Sequence, residues 1–128
     1  MSEPARLSSI PAGVALGPVT LVADGCARNF VIQTKAGRFH GFVVRRGEHV
    51  HGYVDRCPHA GLPLAQHLDE YLTQDARFIA CSWHGALFDP TSGVCVGGPC
   101  VGLRLTPWPV AIIDREIRTI EKEDLPCT

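Results

Sequence analysis

Two short segments of this chain place metal-binding donors at close spacing: Cys57-Pro58-His59-Ala60-Gly61-Leu62 and Cys81-Ser82-Trp83-His84-Gly85-Ala86. Each offers one thiol and one imidazole. In Cys-x-His the two ligand atoms lie close together, so one loop can reach both metals of a binuclear iron cluster, and Cys-x-x-His can do the same from the opposite side. Both cysteines would then take one iron and both histidines the other. The same four donors, Cys57, His59, Cys81 and His84, would also close a tetrahedral Cys₂His₂ zinc site. Zinc modules, however, usually set Cys with Cys and His with His, roughly two to five residues apart, and the single residue between Cys57 and His59 is unusual for them. Gly61 and Gly85 sit directly behind the ligands, where a chain folding tightly around an inorganic core needs positive φ or close backbone approach.

Such loops must be held by rigid elements, and the chain supplies short apolar runs punctuated by scattered Gly and Pro, the pattern of an all-β domain. Strands are expected at Val19–Ala23, Phe30–Thr34, Phe39–Arg45, His49–Asp55, Phe78–Ser82, Ala86–Asp89, Gly102–Pro107, Val110–Asp114 and Glu116–Ile120, most of them rich in Val, Ile and Phe. Thr34-Lys35-Ala36-Gly37-Arg38 and Arg45-Arg46-Gly47-Glu48 read as hairpin connections with Gly at a positive-φ position. The first ligand segment starts just after an expected strand and the second at the end of one. A short helix is expected over Leu64–Thr73, where Leu64, Leu68, Tyr71 and Leu72 fall near helical spacing.

Cys57-x-His59-x-Gly61-x-x-Leu64, Cys81-x-x-His84-Gly85-x-x-Phe88, Gly93 and Gly97-Gly98-Pro99 together resemble the Rieske iron–sulfur family, over roughly residues 50–108. Within it the chain is most similar to the Rieske-type ferredoxins of bacterial oxygenase systems. The resemblance implies an antiparallel β-sandwich with a small cluster-binding subdomain, and one [2Fe–2S] cluster per chain. The resemblance places cluster-binding loops at about 55–66, 80–90 and 95–101, while the chain length suits a single domain over 1–128 and the charged run from Glu121 reads as a tail at about 121–128. Gly97-Gly98-Pro99 resembles the family's proline loop, and Gly61, Leu62, Trp83, Gly85, Ala86, Phe88 and Pro99 are implied as cluster-shielding residues. Leu62 and Trp83 stand where the respiratory members carry a disulfide, so packing has to hold the loops together. The stretch from His59 to Cys81 is longer than in compact ferredoxins; it reads as a surface insertion around Gln66–Ala76, with Asp69, Glu70 and Asp75 as a candidate docking patch for a basic partner.

Composition narrows the function classes. The chain of 128 residues is 45% hydrophobic and 20% charged, which suits one folded domain. Twelve Lys and Arg against 13 Asp and Glu give a net charge of -1, too weak a field to attract nucleic acid or an anionic membrane. Ile10–Val22 is broken by Pro11, Gly13, Gly17 and Pro18 and cannot span a bilayer. With no export signal in view, the expected location is the cytoplasm, and six cysteines then point to metal chemistry or free thiols. Cys26, Cys95, Cys100 and Cys127 lack partners at ligand spacing and read as small buried hydrophobes or idle thiols. His40, His49, His51 and His67 are not recruited by any metal spacing.

The expected role is therefore electron transfer rather than catalysis, with a reductase as donor and a terminal oxygenase or similar oxidoreductase as acceptor. Two other classes stay open: a small relay subunit fixed in a larger, nitrite-reductase-like oxidoreductase, and a structural zinc module. The high-potential Rieske proteins place Ser and Tyr where this chain has Ala86 and Phe88. Hydrogen bonds to sulfur stabilise the more negative, reduced state, so the missing hydroxyls lower the potential. The expected midpoint lies at the lower end of the Rieske range, about −150 mV. A redox titration that places it above zero contradicts this reading.

Overall fold

The computed structural model of the chain describes residues 6–7, 10–56, 64, 71–75, 77–81, 85–98 and 101–121. Its strands are β1 (Arg6–Leu7), β2 (Ala15–Pro18), β3 (Ala27–Gln33), β4 (Arg38–Arg46), β5 (His49–Val54), β6 (Ile79–Ala80), β7 (Leu87–Phe88), β8 (Cys95–Gly97), β9 (Pro107–Trp108), β10 (Val110–Ile113) and β11 (Glu116–Thr119). All pairings are antiparallel except the short one of β1 with β4.

The centre is the β3–β4–β5 meander, in register from Ala27↔Val44 to Gln33↔Arg38 and from Gly41↔Val54 to Arg46↔His49. Both expected hairpin connections form. Thr34 and Gly37 exchange backbone hydrogen bonds around the first, and Gly47, at φ 61, opens the two-residue loop of the second.

Side chains alternate across a strand, so β4 sends Phe39 and Val43 to one face and Phe42 and Val44 to the other, and all four are completely buried. One core gathers Phe39, Val43, Val54, Trp108, Val110 and Ile117 beneath the β10–β11–β2 sheet. The other gathers Phe42, Val44 and Tyr53 against Leu64, Tyr71, Ile79, Phe88 and Leu105, beneath the small β6–β7–β8 sheet. Full burial of such side chains is worth roughly 1.5–3 kcal/mol each. The small sheet belongs to an excursion that leaves β5 after Val54 and returns into β9, where the Val54 N–H donates to Thr106 O at 2.9 Å. Its entry and exit are thus fixed side by side on the central sheet.

The all-β sandwich with a small subdomain is as expected; several element boundaries are not. The strand expected at Val19–Ala23 is a 3-10 turn over Val19–Leu21, closed by Val22 N–H to Val19 O, and the strand lies just upstream as β2. The turn tucks Val22 into the core at 1% exposure, a position that alternation alone does not reveal. The strand expected at Gly102–Pro107 reduces to a bridge at Arg104 and the first residue of β9, and Gly102, at φ 97, lies in a turn where the strand was expected to start. β8 was not anticipated. Of the helix expected at Leu64–Thr73, residues 65–70 lie outside the described residues; at its end Leu72 is not helical but bridges to Ile79. Among the described residues no helix is long and apolar enough to cross a membrane.

A Cβ at Gly41 would stand 2.6 Å from Trp108 Cε3 and 2.7 Å from Phe39 Cε1, two rings already packed at 4.8 Å between centroids. Gly41→Ala is expected to destabilise the fold by about 1–3 kcal/mol, read by urea denaturation. An unchanged unfolding midpoint contradicts this packing.

Candidate metal centre

The first ligand segment begins where β5 ends. Asp55 N–H continues the β4 ladder by donating to His40 O at 3.0 Å, and the Asp55 side chain turns inward to 5% exposure. Its Oδ1 accepts the backbone N–H of Leu64 at 2.9 Å. This bond pins together the two ends of the stretch that carries Cys57, His59, Gly61 and Leu62. Oδ2 accepts the Tyr71 hydroxyl at 2.8 Å and lies 3.3 Å from Asn29 Nδ2, which also donates to Tyr71 Oη at 2.7 Å. The Tyr71 ring stacks on Phe42 at 4.1 Å with an interplanar angle of 7°.

The second segment caps the β6–β7 hairpin. Cys81, 1% exposed, donates its N–H to Ala86 O at 2.8 Å, and its carbonyl accepts from Gly85 N–H at 3.0 Å. Gly85 takes φ 71, as its place behind the ligands requires. Ala80 N–H donates to Tyr71 O at 2.8 Å, which joins the base of this loop to the far side of the first.

The third segment follows β8. Gly98, at φ 88, comes so close to the second loop that a Cβ there would stand 2.8 Å from Ala86 Cα and 3.1 Å from Gly85 O. Behind it, Cys95 is buried and its thiol donates to Gly97 O at 3.2 Å. The turn joining β7 to β8 is closed by Asp89, whose Oδ1 accepts from the Thr91 hydroxyl, Thr91 N–H and Ser92 N–H. The Thr91 hydroxyl is the main reason the Asp89 carboxyl titrates below its ordinary range. Tyr53 braces the same turn by donating to Pro90 O at 2.7 Å, and burial pushes its phenol well above the usual value, so it stays a neutral donor.

Of the expected ligands, Cys81 stands at the mouth of the hairpin; Cys57, His59 and His84 lie outside the described residues. So do Gly61, Leu62, Trp83 and Pro99 of the expected shielding set. Ala86 and Phe88 are fully buried in the core under the small sheet, and Gly85 is exposed on the second loop. In the expected acidic patch, Asp75 spends its carboxylate on a local turn, accepting from Thr73 Oγ1 and Arg77 N–H; Asp69 and Glu70 lie outside the described residues. The Asp55–Tyr71–Asn29 network was not foreseen. A signal for it existed: an acid directly after Gly-Tyr-Val, at the inner end of a buried strand, needs partners.

The described frame suits a compact inorganic centre. It brings a buried cysteine to a hairpin mouth, closes the first loop at its neck, and lets a glycine of the third segment touch the backbone of the second. The donor chemistry of the two loops, two thiols and two imidazoles, matches a [2Fe–2S] group bound through Cys and His.

The sequence profile of the Rieske [2Fe–2S] domain matches residues 18–109, from the end of β2 through β9, and the chain belongs to that family. The family's cofactor is a [2Fe–2S] cluster. No curated protein matches the chain by sequence. Among solved structures, it is similar to the ferredoxin of carbazole 1,9a-dioxygenase from Nocardioides aromaticivorans IC177, at 22% identity over 88% of this chain and 100% of that one, with a TM-score of 0.66. A second similar structure is a complex of reduced oxygenase and oxidized ferredoxin in carbazole 1,9a-dioxygenase, at 20% identity over 83% of this chain and 90% of that one, TM-score 0.64. A third is the terminal oxygenase of carbazole 1,9a-dioxygenase from Novosphingobium sp. KA1, at 20% identity and TM-score 0.67, where 89% of this chain covers 31% of the oxygenase. At these identities the likeness establishes a shared fold.

Gly98→Ala tests the contact between the second and third segments. Its methyl would meet backbone, and its φ disfavours any side chain, so stability should fall by about 1–3 kcal/mol. The same variant should lose iron faster than the wild type, measured by chelator challenge. Wild-type values for both contradict the contact.

Proposed function

We propose that this protein is a one-electron carrier, holding a [2Fe–2S] cluster through Cys57, His59, Cys81 and His84 and passing electrons from a reductase to a terminal oxygenase. The observation that carries this reading is the Rieske profile match, which spans both donor-bearing segments. The similar ferredoxin is covered from end to end, whereas the similar terminal oxygenase is covered over only 31% of its length. A solved complex of oxygenase and ferredoxin supports the choice of acceptor. When bound, such a cluster exchanges one electron at a time.

The chain's own residues serve that task in two ways. The buried frame around Asp55, Tyr71 and Cys81 fixes the loop bases, so that little needs to move when charge changes. Exposed aliphatic side chains flank the third segment, Val94 and Val96 on the arm before it and Val101 and Leu103 on the arm after it, with Val101 69% exposed. Cys95 N–H donates to Leu103 O between the arms. Aliphatic groups held at the surface on either side of the third segment suit a small, transient interface with a redox partner. On this reading the protein is an electron carrier and not itself an enzyme. The Cys95 thiol, used as a hydrogen-bond donor, fits a reducing cytoplasm.

His59→Ala and Cys81→Ala are expected to abolish stable cluster assembly, because no neighbouring Cys or His is spaced to replace the lost ligand. Iron content and visible absorbance of the purified variants check this. Full colour in either variant contradicts the ligand assignment.

A further inference from the structure

We propose that Asp55 and Tyr71 form a positioning pair that sets the spacing of the two ligand loops and, through the Asp55 charge, tunes the midpoint potential. This inference rests on the electron-carrier reading and adds to it two residues outside the expected ligand and shielding sets.

The geometry gives each residue a distinct task. Asp55 Oδ1 closes the neck of the first loop on Leu64 N–H at 2.9 Å, and Oδ2 accepts the Tyr71 hydroxyl at 2.8 Å. Tyr71 then reaches the second loop through its own backbone: its carbonyl accepts from Ala80 N–H at 2.8 Å, one residue before Cys81. A continuous hydrogen-bonded route therefore runs from the strand end two residues before Cys57, through one carboxylate and one tyrosine, to the residue preceding the other cysteine. The route is dry, with Asp55 5% and Tyr71 2% exposed. It is anchored to the central sheet at both members, by Asp55 N–H on His40 O and by the Tyr71 ring on Phe42. Asn29, on β3, donates to Tyr71 Oη and lies near Oδ2, so a third strand steadies the junction.

A carboxylate suits this place better than an amide. The Leu64 and Tyr71 donors approach different oxygens of one side chain, and an asparagine has only one acceptor oxygen to offer. Asp55→Asn can keep the Leu64 bond, but it presents a donor amide NH2 where the Tyr71 hydroxyl now donates, and it removes a negative charge two residues before the first ligand. Tyr71→Phe keeps the charge, the ring stack and the Leu64 bond, and deletes the hydroxyl that ties Tyr71 to Asp55 and accepts from Asn29.

The test uses the iron-loaded full-length protein. Wild type is assayed first for two irons per chain; their absence overturns the electron-carrier reading and this inference with it. With iron present, both variants are challenged with an iron chelator, titrated for midpoint potential and melted thermally. The expected results are iron loss about tenfold faster in each variant, as losing a buried charged hydrogen bond implies. The midpoint should move to a more positive value in Asp55→Asn, since removing a nearby negative charge favours the reduced state, and should not rise in Tyr71→Phe. Wild-type iron loss and potential in both variants overturn the proposal, and so does a lowered melting temperature unaccompanied by either change, which would mark a purely structural pair. Tyr71→Phe retains the packing of the native ring, which keeps the test available if Asp55→Asn folds poorly.

Discussion

The burial of β4 and β5 on both faces is the constraint from which the rest of the structure follows. A strand with one wet face can shift by a residue and lose only one core; here a one-residue slip would exchange Phe39 and Val43 with Phe42 and Val44 and disrupt both. The register of the meander is therefore fixed twice over. The base of the excursion inherits that fixity, because the chain leaves from β5 and returns beside it in β9. The loops that carry the donors stand on a platform that has no freedom to slide.

A buried carboxylate inside such a platform is costly unless its oxygens are satisfied, and Asp55 meets the condition with donors from Leu64 and Tyr71. The same bonds that compensate its desolvation also close the first loop and tie it toward the second. Where the respiratory members of the family are expected to use a disulfide between their loops, the frame of this chain depends on hydrogen bonds and on the close approach of Gly98 to Ala86. That solution needs no oxidising compartment.

Much of this was legible in the residues. The β3, β4 and β5 strands follow from runs of Val, Ile and Phe bounded by Thr34–Gly37 and Gly47, where local turn chemistry and hydrophobic pattern agree. The Cys and His spacing points to the family, and the profile match establishes it. Less legible were features set by tertiary context. The turn at Val19–Leu21 has strand-like composition but has to carry the chain between sheets. β8 is three residues, Cys-Val-Gly, too short for alternation to register. Asp55, Asn29 and Tyr71 lie far apart in sequence on segments with different patterns, and only folding shows that their polar ends meet.

The central claim is that this frame holds a Rieske cluster, and electron paramagnetic resonance of anaerobically purified, dithionite-reduced protein tests it most directly, with iron, sulfide and zinc measured on the same sample. The account predicts a Rieske-type signal with about two irons per chain. A silent sample containing stoichiometric zinc would contradict it.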